Sequence, residues 1–127
     1  MQRVDSSDQV VAVDTHVPGA SGYEVAKGPD GESMSIYLNC SDLKKNNNKF
    51  YILQVLQRVG QTGESHMAML WSRYGRVGDD GVKTQKHLGY SVACKDYDKT
   101  SRAKQRKGYT EIKMASQSQN CSQETRV

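Results

Sequence analysis

The sequence predicts an α+β fold: a small antiparallel β-sheet with one helix packed on it. Three observations carry this expectation. Residues 49–57 and 67–77 are apolar-rich stretches of strand length and composition. The run Gly78-Asp79-Asp80-Gly81 ties the second stretch to another as a hairpin, because Asp-Gly tolerates the positive φ of tight turns. Residues 91–106 carry a weak apolar stripe at helical spacing on a basic background, and Gly108 suits the stop that follows a helix.

The elements follow in order. Gly22-Tyr23-Glu24-Val25-Ala26 alternates over a length that suits an edge strand, and Gly28-Pro29-Asp30-Gly31 then turns the chain. Residues 49–57 are apolar on both alternating faces until position 56, which places them mid-sheet with both sides covered. Gly60-Gln61-Thr62-Gly63 reverses the chain. Residues 67–77 set Met67, Met69 and Trp71 on one face and Ala68, Leu70 and Tyr74 on the other, and the hairpin leads to residues 82–88. Ser91 is the expected N-cap of the helix, whose apolar stripe is Val92, Ala93, Tyr97 and Thr100. A last strand, residues 109–114, alternates Thr110, Ile112 and Met114 against Tyr109, Glu111 and Lys113. Residues 1–9 and 115–127 are Ser/Gln-rich, cannot offset their own ordering entropy, and read as disordered tails around a domain at 10–114.

At 127 residues the chain has room for one domain with a modest core. Its apolar runs, such as Phe50-Tyr51-Ile52-Leu53, fall far short of the ~20 residues that span a bilayer. Arg3, Asp5 and Asp8 at the N-terminus are followed by no apolar stretch of signal-peptide length, so neither a membrane partner nor secretion is expected. Cys40, Cys94 and Cys121 are widely spaced without a CxxC, and His16, His66 and His87 lack paired ligands at zinc spacing. The reading is a reducing compartment, no metal and no cofactor. The net charge of +4 hides a split: residues 1–35 hold two basic residues against six acids, whereas residues 36–114 hold fifteen against seven. A basic body of that kind attracts phosphate polymers and acidic surfaces.

Specific strings go further. Trp71-Ser72-Arg73-Tyr74-Gly75-Arg76-Val77-Gly78 resembles the W-x-R-W-G-R-V-G hallmark of the WGR domain, with Tyr74 in place of the naming tryptophan. Tyr37-Leu38-Asn39-Cys40-Ser41-Asp42-Leu43 followed by Asn46-Asn47-Asn48-Lys49-Phe50-Tyr51-Ile52-Leu53-Gln54 resembles a strand of that domain as found in poly(ADP-ribose) polymerases. Val13-Asp14-Thr15-His16-Val17-Pro18 before Tyr23-Glu24-Val25, and Asp98-Lys99-Thr100 before Lys107-Gly108-Tyr109-Thr110-Glu111-Ile112, agree in the same order. The connection Ser101-Arg102-Ala103-Lys104-Gln105-Arg106 is shorter than in those polymerases and looks more like that of stand-alone bacterial modules.

The resemblance implies a nuclear module that senses DNA strand breaks, near a 5′ phosphate or a nick, and signals to an ADP-ribosyltransferase catalytic domain in cis or in trans. By position it implies Asn48, Lys49 and Tyr109 as backbone contacts. Tyr74 would be the aromatic residue packing on the terminal nucleotide, and Arg76 a phosphate or interdomain contact. Such donors position a phosphate without reading sequence, and an exposed ring is useful where a duplex ends or is interrupted. The chain carries none of the transferase's NAD-contacting residues and should not be an enzyme by itself. Each residue also has a plainer role: Trp71 as core, Tyr74 as a packed hairpin aromatic, the Asn46–Asn48 run as a turn, and residues 99–107 as a solvated helix face. Arg73, Tyr74 and Arg76 cannot all meet one ligand from a regular strand unless Gly75 permits a bulge. A protein-interaction or regulatory module, or an RNA-binding one within a larger assembly, is the alternative function.

Overall fold

The computed structural model describes residues 11–42, 47–61 and 66–113. The two tails read as disordered, and Met114, lie outside the described residues, as do Thr62 and Gly63 of the expected reversal. In chain order come β1 (Tyr23–Val25), β2 (Ser35–Asp42), β3 (Asn47–Arg58), β4 (Met67–Arg76), β5 (Val82–Gly89), α1 (Tyr90–Arg106) and β6 (Thr110–Ile112). They form the expected α+β arrangement. The strands run antiparallel in the order β5-β4-β3-β2-β6, with β1 also paired to β3. β2 is a full strand that the residue pattern had not separated from the segment following it.

The central position of β3 follows from its composition. Tyr51, Leu53 and Val55 point to the side covered by α1 and pack with Leu38, Ala68, Leu70, Ala93 and Cys94. Leu56 points to the opposite side and packs with Val17, Met69 and Trp71. Among the described residues, no α-helix lies over that second side. It is closed by residues 11–22, which bring Val13, Val17 and Ala20 onto it. β1 adds Tyr23 and Val25 to the same cluster.

Polar clips fix this N-terminal cover. Gln54 interrupts the apolar pattern of β3, and its buried amide accepts from the Asp14 backbone N–H at 3.0 Å. The same amide donates to the Ala12 carbonyl at 3.0 Å and to Ser35 Oγ at 2.9 Å. The Asp14 carboxylate, whose side chain is 5% exposed, accepts from Trp71 Nε1 and from Arg73 Nε, both at 2.8 Å. It also accepts from Arg73 Nη2 at 3.2 Å and from the His16 N–H at 3.3 Å. His16 Nε2 in turn lies 3.4 Å from Asp80 Oδ1 in the β4–β5 turn. A carboxylate this deeply placed is tolerable only when its lone pairs are filled by donors of opposite or partial positive charge.

Two details of α1 differ from expectation. Its N-cap is Gly89, with no side-chain cap, because β5 runs directly into the helix and the Tyr90 N–H donates to the His66 carbonyl at 2.9 Å. The inward stripe is Ala93, Cys94, Tyr97 and Ser101, whereas Val92 is 52% exposed. The helix stops as foreseen, with Gly108 at a φ of 107° after the Lys107 cap.

The Asp14 carboxylate couples stability to pH. Burial pushes its pKa up, but the hydrogen bonds from Arg73, Trp71 and the His16 backbone outweigh this and hold it below the ordinary value of 3.8. Its stabilising contribution is therefore complete above that value and lost as pH falls through the lower folded-state value. Urea unfolding should show stability dropping as pH falls below about 4, and an Asp14→Asn variant, already weakened at neutral pH, should show a shallower drop. Parallel curves for the two proteins would contradict the assignment.

Candidate functional site

The motif strand β4 distributes its side chains by alternation. Trp71 and Arg73 face the N-terminal cover, where Trp71 is 1% exposed and both donate to Asp14. Tyr74 and Arg76 face the α1 side. Gly75 between them is not a bulge, since the register runs unbroken from Tyr51↔Tyr74 through Phe50↔Gly75 to Lys49↔Arg76. Its smallness serves close approach: a Cβ there would lie 3.1 Å from the Cα of Gly81 across the hairpin. A Cβ on Gly81, whose φ is +88°, would meet the Tyr74 carbonyl oxygen at 2.6 Å.

At the end of the sheet where α1 terminates, four of the five expected site residues share one face. The Tyr74 ring stacks on Tyr51 of β3, centroids 5.1 Å apart and 10° from parallel. Tyr109, just before β6, meets Tyr51 edge-on at 6.2 Å. Lys49 and Arg76 stand directly opposite each other on β3 and β4, both exposed. Like charges in that position destabilise a strand pair. Among the described residues, no carboxylate comes within ion-pair distance of either, and Arg76 Nη2 has only a long 3.4 Å bond to Asn47 Oδ1.

Asn48 is the exception. Alternation turns it to the opposite face, where its Oδ1 accepts from Asn39 Nδ2 at 3.0 Å and faces Ser41 Oγ at 2.9 Å. The pairing Ser41↔Asn48 builds that small network into the β2–β3 ladder.

Lys104 belongs to the site and was hidden within the basic run of the helix. Its Nζ sits 4.8 Å from the Tyr51 ring centroid, a cation–π contact. Burial pushes the Tyr51 and Tyr109 phenols up, so at neutral pH they are uncharged and do not neutralise Lys104. The arrangement is an aromatic floor of Tyr51, Tyr74 and Tyr109 edged by Lys49, Arg76 and Lys104. Chemically it can hold an anion beside a flat or apolar group. Among the described residues, no group of three or more His, Cys, Asp or Glu could hold a metal ion. No described helix is long and apolar enough to cross a membrane.

Comparison with known proteins places the chain in a family. The WGR domain family matches residues 34–116, which contain every strand of the site. The chain belongs to that family. Relatives of this WGR chain include the protein mono-ADP-ribosyltransferase PARP3 of Homo sapiens, 30% identical over 114 residues, 87% of this chain and 20% of that protein. The corresponding protein of Mus musculus is 29% identical over 100 residues, 78% of this chain and 17% of that protein. The chain thus spans a fifth or less of the length of these curated relatives. Its WGR motif splits by face, with Trp71 and Arg73 locking the fold and Tyr74 and Arg76 left at the surface.

The two arginines of the motif should therefore behave differently. Arg73→Gln removes the cation that balances a buried carboxylate and should cost roughly 2–4 kcal/mol. Arg76→Gln, at an exposed position, should stay within about 0.5 kcal/mol of the parent. Chemical denaturation of both variants checks this, and equal losses would contradict the split.

Proposed function

We propose that this chain is a sequence-independent DNA-binding module that recognises strand breaks, at 5′-phosphate ends or nicks, and regulates an ADP-ribosyltransferase of the poly(ADP-ribose) polymerase type supplied in cis or in trans. The observation that carries the reading is the Lys49–Arg76 pair. Two cations face each other across neighbouring strands, with no carboxylate within ion-pair distance among the described residues, beside a stacked tyrosine pair. An anion between them relieves their repulsion, and a terminal phosphate brings with it a sugar and base that can lie against Tyr74. An uninterrupted duplex offers the phosphate without the exposed ring face, which is the physical basis of a preference for breaks.

Membership of the WGR family and likeness to proteins named as mono-ADP-ribosyltransferases support the link to ADP-ribosylation. On this reading the transferase chemistry resides in a separate catalytic domain, the module acts in the nucleus in the response to DNA damage and its repair, and the exposed Arg76 also serves contact with that domain. Asn48, exposed near the start of β3 but on its other face, would reach the DNA from that side through its amide nitrogen, its oxygen being held by Asn39 and Ser41.

Titration against nicked, 5′-phosphorylated blunt-ended and intact circular duplex DNA tests the proposal. Nicked and blunt DNA should bind at least tenfold more tightly than the circle. Tyr74→Ala should lose roughly 5- to 150-fold on broken DNA, the equivalent of one stacked base. Equal affinity for broken and circular DNA would overturn the break preference, and tighter binding to single-stranded RNA than to any duplex would favour an RNA-binding module instead.

A further inference from the structure

Beyond the site, the outer face of α1 carries an arrangement that the fold does not use. Lys95, Lys99, Arg102 and Arg106 are all exposed and follow one another at spacings of four, three and four residues. At 3.6 residues per turn they fall within about 60° of one another around the helix and extend over about 16 Å. The face turned to the sheet is set by Ala93, Cys94 and Ser101, so the stripe points away from the core. Lys104, from the same basic run, lies on the inner side over Tyr51.

The stripe is only partly neutralised. Asp98 pairs with Arg102 at 3.3 Å, and Asp96 lies to one side on the helix. Among the described residues, no ion pair reaches Lys95, Lys99 or Arg106. Like charges four apart, as in Lys95 with Lys99 and Arg102 with Arg106, destabilise an isolated helix. The helix dipole favours a cation in the last turn, which accounts for Arg106 but not for Lys95 or Lys99. The like-charge pairs cost stability in the free protein and become favourable against a regularly spaced polyanion.

The stripe also meets the site. Arg106 leads through Lys107 and Gly108 to Tyr109, so the row of cations begins beside the aromatic floor and runs away from it along α1. We infer that the outer face of α1 is a second, break-independent contact that follows the phosphate backbone of the same DNA beyond the point where the site engages it. This rests on the DNA-binding reading above and adds a division of labour to it. The aromatic site sets the preference for broken over intact DNA, and the stripe supplies affinity and salt sensitivity on either.

The two contacts separate experimentally. In a variant with Lys95→Gln, Lys99→Gln, Arg102→Gln and Arg106→Gln, the slope of log K against log salt should fall in magnitude by about 3, from four lost phosphate contacts at most. Nicked and circular duplexes should both lose affinity, with their ratio kept within about twofold of the parent's, since the stripe does not sense ends. Tyr74→Ala should do the converse, reducing the ratio while leaving the slope nearly unchanged. All four positions are exposed, and matched thermal unfolding verifies the fold; Lys99→Glu alone should weaken both duplexes in the same direction.

An unchanged slope in the fourfold variant, with the nick preference intact, would overturn the stripe and leave the break-binding reading standing. Unchanged DNA binding together with lost binding to poly-L-glutamate would overturn it in favour of an acidic protein partner. Absence of DNA binding by the parent protein at low salt would overturn both readings.

Discussion

The carboxylate of Asp14 is the constraint on which the rest of the structure depends. It stands near the start of the described chain, yet four of its hydrogen bonds reach Trp71, Arg73 and the His16 backbone, nearly sixty residues away in the first two cases. Without it, the Trp71 indole N–H would be buried without a partner and the Arg73 guanidinium would lose its balancing charge. Residues 11–22 would then lose the anchor that holds Val13 and Val17 over Leu56 and Met69. The side of the sheet away from α1 would then be held by the Gln54 clips alone and more open to water. Arg73 carries the constraint further, donating to the Asp80 carbonyl at 2.7 Å and lying over Phe50, so the hairpin is tied to the same anchor.

This anchor is also what frees the other side of the sheet. Because Trp71 and Arg73 are spent on the N-terminal cover, the alternation of β4 delivers Tyr74 and Arg76 to the helix side, opposite Tyr51 and Lys49. Gly75 and Gly81 let the hairpin close tightly enough to hold that alternation without a bulge. α1 covers only part of this side and contributes Lys104 as it ends, leaving a tyrosine floor edged by three cations. The structural and the surface-exposed halves of one short motif are thus two faces of one strand.

Much of this was legible in the sequence, for reasons that differ by element. Period-two patterning placed Trp71 with Met69 and Tyr74 with Leu70 on opposite sides of β4, and both pairs are found so. The Gly78–Gly81 turn and the Gly108 stop were visible because glycine at positive φ has few substitutes. The Asp14 anchor was not visible, since its partners are remote in sequence and no local pattern marks an aspartate as buried. Gln54 is illegible for the same reason: an amide amid apolar residues looks like an interruption until Ala12 and Ser35 meet it. The opposite facing of Asn48 and Lys49 followed from alternation once the β2–β3 register was known. Lys104 could be told from the outward cations only by locating the inner side of α1, and the expected stripe through Val92 and Thr100 was offset from the real one.

On the function proposed, one side of the sheet is a structural seam and the other a nucleic-acid surface. Amide hydrogen exchange of the chain with and without nicked, 5′-phosphorylated duplex distinguishes the two sides. Added protection should appear around Lys49, Tyr74, Arg76 and Tyr109 and along the C-terminal half of α1, with no change at Asp14, Val17 or Ala20. Protection centred instead on residues 11–22, with the Tyr74 and Tyr109 region unaffected, would contradict it.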